Sequence, residues 1–275
     1  MRVLVTGGTR GIGRAIVEAI VARGKDHVVY LGCRDIRAGT ALAAALGGTI
    51  VPLELDVTDR ASITAAAATV AASGQLLDAV VCNAGVMLER DGGDLAATVE
   101  PTFRVNVDGV MAVTEALLSQ IADGGQLVTV SSGAGTRATG ELDERARAEL
   151  AAADAPALRA AAYRLATEVA GRPCAVGATP VYGLSKAAVN YYTRLIAREN
   201  PRLRANACSP GFCRTEIAGP GVAYTREPKD AALGADVATK LLFGDLGSET
   251  GLFYKECSKP GASLAEARSA VEPWH

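Results

Sequence analysis

The chain has 275 residues, of which 49% are hydrophobic and 4% aromatic, and its formal net charge is −2. This length allows one large or two small domains with a sizeable core. The charge balance predicts no broad electrostatic surface for nucleic acid. No apolar run reaches the length of a bilayer span, and the N-terminus shows no secretion signal. We therefore expect no membrane segment and a cytoplasmic location.

Histidine and cysteine usage argues against a metal site and against a disulfide framework. The six cysteines show no C-x-x-C spacing, which is typical of free thiols in a reducing compartment. The only histidines are His27 and His275. With so few, we expect neither a histidine-dependent catalytic triad nor a multi-histidine metal site.

In the first half of the chain, short β-like runs alternate with alanine-rich helical runs. The predicted strands are Val3–Thr6, Val28–Leu31, Ile50–Leu55, Ala79–Cys82 and Gln126–Ser131. The predicted helices are Gly11–Arg23, Ile36–Leu46, Arg60–Ala72 and a longer one that ends near Ile121. Repeated β-α units of this length predict parallel strands joined by right-handed crossovers, with strands buried on both faces.

The alternation stops after Ser132. Residues 137–172 are rich in Ala, Arg and Glu and contain no good strand, which predicts one or two helices inserted on the surface. The remaining predicted elements are a helix at Gly183–Glu199, a strand near Arg204–Ala207, a helix at Lys229–Leu242 and a strand near Leu252–Tyr254. The prediction is a seven-stranded α/β protein. With no linker or repeat visible, residues 1–275 are expected to form a single domain.

A glycine-rich turn, TGGTRGIG, lies between the first strand and the first helix. Backbone N–H groups at a helix N-terminus can hold a pyrophosphate, and glycine allows close approach. The spacing is G-x-x-x-G-x-G rather than the common G-x-G-x-x-G. A turn that only reverses the chain is the alternative, but the strand before it and the helix after it favour a dinucleotide site. The candidate binding residues are Gly7, Thr9, Arg10, Gly11, Ile12 and Gly13.

The choice of dinucleotide should be set just after the second strand, where the sequence reads Gly32-Cys33-Arg34-Asp35. An acid there would bind the ribose 2′-hydroxyl, whereas basic residues fit a 2′-phosphate. Arg34 is well placed, and Arg10 can reach the same phosphate. Asp35 could be the ribose acid, although a cap for the next helix is the more plausible role. We favour NADP over NAD, and an Arg34 that is only a solvated loop charge would leave this open.

Seven motifs occur in the order found in short-chain dehydrogenases/reductases. They are TGGTRGIG, Leu55-Asp56-Val57, Asn83-Ala84-Gly85, Asn106, Ser131-Ser132, Tyr182-x-x-x-Lys186 and Pro210-Gly211-Phe212-Cys213-Arg214-Thr215. Each motif alone is weak, but the ordered set is specific and covers essentially the whole chain. The 49 residues between Ser132 and Tyr182 most resemble the carbonyl-reductase-like branch, as does the segment from Asn206 to Gly219. This resemblance implies a doubly wound Rossmann fold with helices on both faces of the sheet.

The resemblance also implies cofactor contacts after the third and fourth strands and in the loop after the sixth. The residues are Asp56, Val57, Asn83, Ala84, Gly85, Pro210, Gly211 and Thr215. Asp56 would accept a hydrogen bond from the adenine amino group, and Thr215 would contact the nicotinamide carboxamide or the phosphates. For Asp56 and Asn83, ordinary turn chemistry after a strand is the alternative.

Hydride transfer to a carbonyl leaves negative charge on oxygen, so the site must supply a proton donor. Tyr182 and Lys186 share one helix face, and a nearby ammonium is expected to lower the tyrosine pKa. The resemblance implies that Tyr182 is the acid and that both residues contact the cofactor. It also implies that Ser132 donates to the substrate oxygen and that Asn106 anchors a water near Lys186. Ser131 and Ser132 alternate sides, and the family pattern favours Ser132.

The expected activity is NADPH-dependent reduction of a small-molecule ketone or aldehyde, or the reverse alcohol oxidation. The alternative is a non-catalytic, NADP-binding, redox-sensing regulatory protein. The insertion should cover the helix face that tetrameric relatives use for dimerisation, so we expect a monomer. The insertion and the loop around Ala218–Thr225 are expected to border the substrate cleft.

Overall fold

The computed structural model describes residues 1–89, 93–152, 154–173, 175, 178–218 and 227–256. Seven strands form one sheet in the order β3-β2-β1-β4-β5-β6-β7. The strands are β1 (Arg2–Thr6), β2 (Val28–Cys33), β3 (Thr49–Glu54), β4 (Leu77–Cys82), β5 (Ile121–Val130), β6 (Arg204–Cys208) and β7 (Phe253–Tyr254). Every pairing is parallel, so the predicted parallel α/β sheet is confirmed.

Helices connect the strands and cover both faces. They are α1 (Gly11–Ala22), α2 (Ile36–Leu46), α3 (Arg60–Ala72), α4 (Ala96–Phe103), α5 (Gly109–Leu117), α6 (Gly133–Glu141), α7 (Glu144–Ala152), α8 (Ala155–Ala170), α9 (Pro180–Glu199) and α10 (Ala231–Phe243). A π-helical turn, Arg104–Asp108, joins α4 to α5. Short 3-10 turns lie at Leu118–Gln120 and Glu216–Ala218.

The central strands are buried on both sides because successive side chains point to opposite faces. In β1, Leu4 belongs to one core cluster, whereas Val3 and Val5 belong to the other. Buried side chains of α3, α5 and α9 complete the first cluster, and those of α1, α2 and α10 complete the second. The sheet is therefore doubly wound, with a core on each face.

Five helices begin after an aspartate whose carboxylate accepts a backbone N–H of the first turn. These are Asp35 at α2, Asp59 at α3, Asp143 at α7, Asp154 at α8 and Asp230 at α10. Such caps satisfy N–H groups that have no partner within the helix. The N-cap of α1 is Arg10, and it makes no side-chain cap hydrogen bond. No N-cap side chain accepts the first backbone N–H groups of α1, so a ligand could accept them.

Two of the larger differences from the predicted element boundaries are at β5 and α9. The segment at Ile121, predicted as the end of a helix, begins β5 instead. Helix α9 begins at Pro180 rather than Gly183. Proline is favoured at the first helical position because its φ angle suits a helix and its missing N–H needs no partner there. Tyr182 consequently lies inside the same helix as Lys186.

The insertion also differs from its prediction. It begins at Gly133 rather than at residue 137, and it contains three helices rather than one or two. Capping side chains explain the divisions, because Ser132 accepts the N–H of Ala134 and Asp143 accepts the N–H of Ala146. Each cap starts a new helix after a short break.

The insertion shares its core with the sheet. Leu158, Ala162 and Ala166 of α8 are buried in the same cluster as the inner face of α9. A bidentate ion pair adds to this attachment, with Arg159 Nε and Nη2 each 2.9 Å from an Asp108 carboxylate oxygen. Paired hydrogen bonds of this kind fix orientation as well as distance. That the insertion and the sheet form a single domain stays a prediction.

Leu158→Ala tests whether the insertion unfolds together with the sheet. The side chain is 1% exposed, so its truncation should lower the free energy of unfolding by about 2–4 kcal/mol. We expect one cooperative thermal transition at a lower temperature. Leu76→Ala is the matched control, because Leu76 is 55% exposed and should change stability by about 0.5 kcal/mol or less. A separate early transition with the main one unchanged would contradict a single domain.

Candidate active site

A cleft of about 1220 Å³ opens at the carboxyl ends of the strands. The strand order reverses between β1 and β4, and ligands of open α/β sheets bind at such a reversal. Of the predicted site residues, all except Asn106 line this cleft. The fold thus brings together positions spread from Gly7 to Thr215.

The glycine turn lies at one end of the cleft, held by Asn83. The Asn83 amide nitrogen donates to the carbonyl of Thr6 at 2.9 Å and to that of Gly7 at 3.2 Å. Gly7 has a φ of +64°, which favours glycine. A Cβ on Gly13 would lie 2.3 Å from the Gly7 oxygen and 2.4 Å from Asn83 Nδ2. Only glycine at position 13 therefore allows α1 to pack this close to the turn.

The turn fits a dinucleotide phosphate. Gly11, Ile12 and Gly13 line the cleft at the N-terminus of α1, which lacks a side-chain cap. Backbone N–H groups and the helix dipole favour an anion at such a position. Thr215 approaches from the opposite side, and a Cβ on Gly11 would lie 3.3 Å from its methyl group. The loop after β6 therefore lies against the glycine turn at this end of the cleft.

The two residues that could select the cofactor, the acidic Asp35 and the basic Arg34, have different environments. Asp35 Oδ1 accepts the N–H groups of Arg37 at 2.9 Å and Ala38 at 3.3 Å, so Asp35 caps α2. Arg34 is exposed and lines the cleft. Burial tends to raise the pKa of Asp56, but hydrogen bonds from Thr58 and the positive charge of Arg34 outweigh it, so this pKa is lowered. Arg34 therefore lies close to the position predicted to bind adenine.

Arg10 contacts a residue that the sequence did not single out. Its guanidinium donates to Glu216 Oε2 at 2.6 Å, and both side chains are more than 60% exposed. Exposed pairs of this kind contribute little to stability. A cofactor phosphate would compete with Glu216 for Arg10.

Tyr182 and Lys186 lie one turn apart on α9 and face the cleft. Lys186 Nζ is 5.8 Å from the centre of the Tyr182 ring and donates to the carbonyl of Val130 at 3.0 Å. The Ser132 hydroxyl is hydrogen-bonded to Tyr182. Ser131 instead directs its hydroxyl to the carbonyl of Lys186 at 3.2 Å. Both serines line the cleft, but Ser132 is the one that is hydrogen-bonded to Tyr182.

The expected lowering of the tyrosine pKa is wrong for the protein without cofactor. Burial raises the pKa of Tyr182 to about 12, against a lowering by the Ser132 hydrogen bond. Burial also lowers the pKa of Lys186 to about 8, because a desolvated ammonium is disfavoured. Desolvation by burial is the largest cause of the pKa shift in both groups. Tyr182 consequently keeps its proton through the neutral range and can act as a proton donor.

Asn106 lies behind the cleft wall, within the π-helical turn. Its side chain accepts the N–H of Val86 at 2.8 Å and donates to the Val86 carbonyl at 2.9 Å and the Ser185 hydroxyl at 3.0 Å. A Cβ on Gly85 would lie 3.3 Å from Asn106 Oδ1 and 3.4 Å from Lys186 Nζ. The absence of a side chain at Gly85 thus lets Asn106 and Lys186 approach. Its predicted water-anchoring role stays a prediction.

Two buried residues hold the site together but were missed from the sequence. Ser209 accepts the N–H groups of Gly133 at 3.1 Å and Gly211 at 3.2 Å, which ties the Pro210-Gly211 loop to the start of α6. Its place beside Pro210 was a usable signal. The other residue is Glu89, whose carboxylate accepts N–H groups from the first turn of α9. Glu89 belongs to no motif, and nothing local marks it.

Several remaining expectations concern metals, thiols, membranes and the substrate loop. Within the described ranges, no group of three or more His, Cys, Asp or Glu side chains could hold a metal ion. The cysteines that the structure describes, Cys33, Cys82, Cys208 and Cys213, are free thiols. Over the same part of the chain, no helix is long and apolar enough to cross a membrane. The predicted loop at Ala218–Thr225 lies, apart from Ala218, outside the described residues.

Comparisons with known proteins agree with this geometry. The sequence model of the short chain dehydrogenase family matches residues 1–142. Carbonyl reductase (NADPH) 1 of Pongo abelii is 30% identical over 83% of this chain and 87% of its own length. Salutaridine reductase of Papaver somniferum is 29% identical over 94% of this chain and 95% of its own. The solved structure of salutaridine reductase from Papaver somniferum has a TM-score of 0.74 at 24% identity, covering 93% of this chain and 99% of that one.

The chain belongs to the short-chain dehydrogenase family of oxidoreductases, which confirms the resemblance drawn from the seven motifs. It acts on carbonyl or alcohol groups of small molecules.

Lys186→Met should stabilise the cofactor-free protein at pH 7, by on the order of 3 kcal/mol. The folded-state pKa of Lys186 is about 8 against an ordinary 10.5, so folding buries an ammonium at a cost below pH 8. Between these values the unfolded chain binds more protons, and the stability of the wild type rises with pH. The stability difference between variant and wild type, measured by thermal unfolding, should therefore shrink from pH 7 to pH 10.

The exposed Lys25 provides the control for this titration. Lys25→Met should show the same stability difference from the wild type at both pH values. If the Lys186→Met difference were equally constant, burial would not be what lowers the lysine pKa.

Proposed function

We propose that this protein is an NADPH-dependent carbonyl reductase that reduces a small-molecule ketone or aldehyde, with the reverse alcohol oxidation as the same chemistry. The observation that carries the proposal is the buried Tyr182 hydroxyl, hydrogen-bonded to Ser132 and one helical turn from Lys186. All three line the cleft that contains the glycine turn. The names of the two relatives, a carbonyl reductase and salutaridine reductase, support a reductase.

Each side chain of the site has its own role in carbonyl reduction. A bound reduced nicotinamide supplies the hydride. Tyr182 donates its proton to the carbonyl oxygen as negative charge develops there, and Ser132 donates a hydrogen bond that orients this oxygen. The ammonium of Lys186, largely charged below its pKa of about 8, stabilises the phenolate that remains. Asn106 holds the segment Gly85–Val86 against Lys186.

Three observations support NADP as the cofactor. Asp35 is engaged in capping α2, so it is not available as the acid that would select an unphosphorylated ribose. Arg34 lines the cleft beside Asp56, where a 2′-phosphate would meet a guanidinium. The name of one relative, carbonyl reductase (NADPH) 1, states its use of NADPH. In this proposal Arg10 exchanges Glu216 for the phosphate.

We further propose that the protein is a monomer. Helix α8 of the insertion packs on α9 through buried residues such as Leu158 and Ala162, and Arg159 attaches it to Asp108. The outward face of α9 is thereby covered by the same chain rather than left for a second copy. The cytoplasmic location expected from the sequence stays a prediction.

The proposed activity is tested by following NADPH oxidation with quinones, aromatic aldehydes, cyclic ketones and keto-esters. Tyr182→Phe should lower turnover about 10²- to 10⁴-fold, because it removes the proton donor. Tyr30→Phe is the control, since Tyr30 is buried in β2 away from the cleft and should keep full activity. Full turnover in Tyr182→Phe would contradict the proposal. NADPH binding with no turnover on the whole panel would favour the regulatory alternative.

Cofactor choice is tested by replacing Arg34. Arg34→Ala should weaken NADPH binding about 10- to 100-fold and leave NADH binding unchanged, because one charge-assisted contact to the 2′-phosphate is lost. Fluorescence titration with both cofactors measures this. Arg60→Ala is the control. Arg60 is an exposed cation at the start of α3 that pairs with Glu115 of α5, so its loss should change neither affinity. A wild type that uses NADH at least as well as NADPH would show that the proposed cofactor is wrong.

A further inference from the structure

We propose that Glu89 is a positioning residue for Tyr182. From the loop after β4, its carboxylate holds the first turn of α9 and so fixes where the tyrosine hydroxyl lies in the cleft. The inference rests on the proposed function, in which Tyr182 is the proton donor.

The contact is direct and buried. Glu89 Oε1 accepts the N–H of Val181 at 2.8 Å, and Oε2 accepts the N–H of Tyr182 at 2.8 Å. The residue is 5% exposed although it carries a carboxylate, and it also lines the cleft. A buried carboxylate is tolerated only where hydrogen bonds compensate for its desolvation. Its position is therefore set closely by the two backbone groups that it accepts.

Helix α9 depends on this distant carboxylate for its cap. The N-cap residue, Thr179, makes no side-chain cap hydrogen bond, and Pro180 has no N–H. The first two N–H groups of the helix are those of Val181 and Tyr182, and both go to Glu89. Gly183 is the next donor, and it bonds the carbonyl of Thr179 at 2.8 Å. Unlike the aspartate caps of α2, α3, α8 and α10, this cap comes from 93 residues away.

A chain of hydrogen bonds also connects the Tyr182 carbonyl to the loop that carries Glu89. The Tyr182 carbonyl accepts the Ser185 hydroxyl at 2.8 Å, and Ser185 accepts from Asn106 at 3.0 Å. Asn106 in turn holds both backbone groups of Val86, three residues before Glu89. The N–H of Tyr182 is thus held through Glu89 and its carbonyl through Ser185. Removing the Glu89 carboxylate would leave the N–H of Tyr182 without this acceptor, while the hydrogen bond to its carbonyl would remain.

The charge of Glu89 also acts on the tyrosine hydroxyl. Burial raises the pKa of Tyr182, the Ser132 hydrogen bond lowers it, and the negative charge of Glu89 raises it further. Among the described residues, the other charged groups that line the cleft near the pair are Lys186 on α9 and the exposed Arg137 of α6, and the Cys82 and Cys208 thiols lie beside Lys186. Burial raises the pKa of Glu89 itself. Loss of its charge should therefore make Tyr182 easier to deprotonate.

The test compares Glu89→Ala and Glu89→Gln with the wild type in carbonyl reduction. Glu89→Ala should lower kcat about 10- to 100-fold, because small displacements of a proton donor are costly, with NADPH affinity retained. Glu89→Gln keeps one oxygen acceptor and should recover at least part of the lost kcat. Reduction needs protonated Tyr182, so the alkaline fall of kcat should move to lower pH in Glu89→Gln.

Asp154→Asn is the matched control, because Asp154 is an exposed capping carboxylate on α8. It should lower the thermal unfolding temperature slightly and leave kcat and its pH profile unchanged. If Glu89→Ala behaved like this control, Glu89 would be a helix cap only and the inference would be overturned. If Glu89→Ala failed to fold, a Glu89→Gln variant with wild-type kcat and pH profile would overturn it equally.

Hydrogen exchange at the Val181 and Tyr182 amides tests their contact with the Glu89 carboxylate without measuring turnover. Exchange should be faster in Glu89→Ala or Glu89→Gln than in the wild type and unchanged in Asp154→Asn. Unchanged exchange in the Glu89 variants would overturn the inference even if no carbonyl were reduced. Suppose that the wild type reduces no carbonyl on the panel but exchange at these amides is faster in the Glu89 variants. That result would refute the proposed function and leave the contact between Glu89 and α9 intact.

Discussion

The hydroxyl of Thr6 joins the two central strands where the strand order reverses. As the last residue of β1, it accepts the N–H groups of Asn83 at 2.9 Å and Ala84 at 3.0 Å, just after β4. Asn83 in turn bonds the carbonyls of Thr6 and Gly7. This reciprocal contact fixes the glycine turn on one side and the Asn83-Ala84-Gly85 segment on the other. Hydrogen bonds through the Thr6 hydroxyl and the Asn83 amide therefore fix these two cleft-lining loops relative to each other.

The centre of the site buries three ionisable groups, and their burial governs the protonation of the site. Glu89, Tyr182 and Lys186 are each less than 10% exposed. Desolvation favours the neutral form of every one, which raises the pKa of the acid and the phenol and lowers that of the lysine. The result suits a proton donor, since the phenol is held protonated while the lysine remains largely charged at neutral pH. A positive cofactor ring would shift this balance toward the phenolate.

The π-helical turn at Arg104–Asp108 connects the site with the insertion. One of its residues, Asn106, holds Val86 and Ser185 at the cleft wall. Two positions later, Asp108 receives the bidentate contact from Arg159 of α8. Single π-helical turns are frequent at functional sites because they redirect side chains within an otherwise regular helix. Here the redirected turn faces the tyrosine helix with one side chain and the inserted helices with another.

Local pattern located the parallel strands, the glycine turn and the Tyr182–Lys186 spacing, whereas the roles of most other site residues came from the resemblance to short-chain dehydrogenases/reductases. Hydrophobic runs and β-α alternation located the strands, and the strand–turn–helix context located the glycine turn. The four-residue spacing placed Tyr182 and Lys186 on one face. Each of these depends on neighbours within a few residues. Tertiary structure alone decided three further features: the burial that raises the Tyr182 pKa, the Arg10–Glu216 pair and the Glu89 cap. They arise between segments far apart in the chain, and no local pattern encodes which side chains packing will bring into contact.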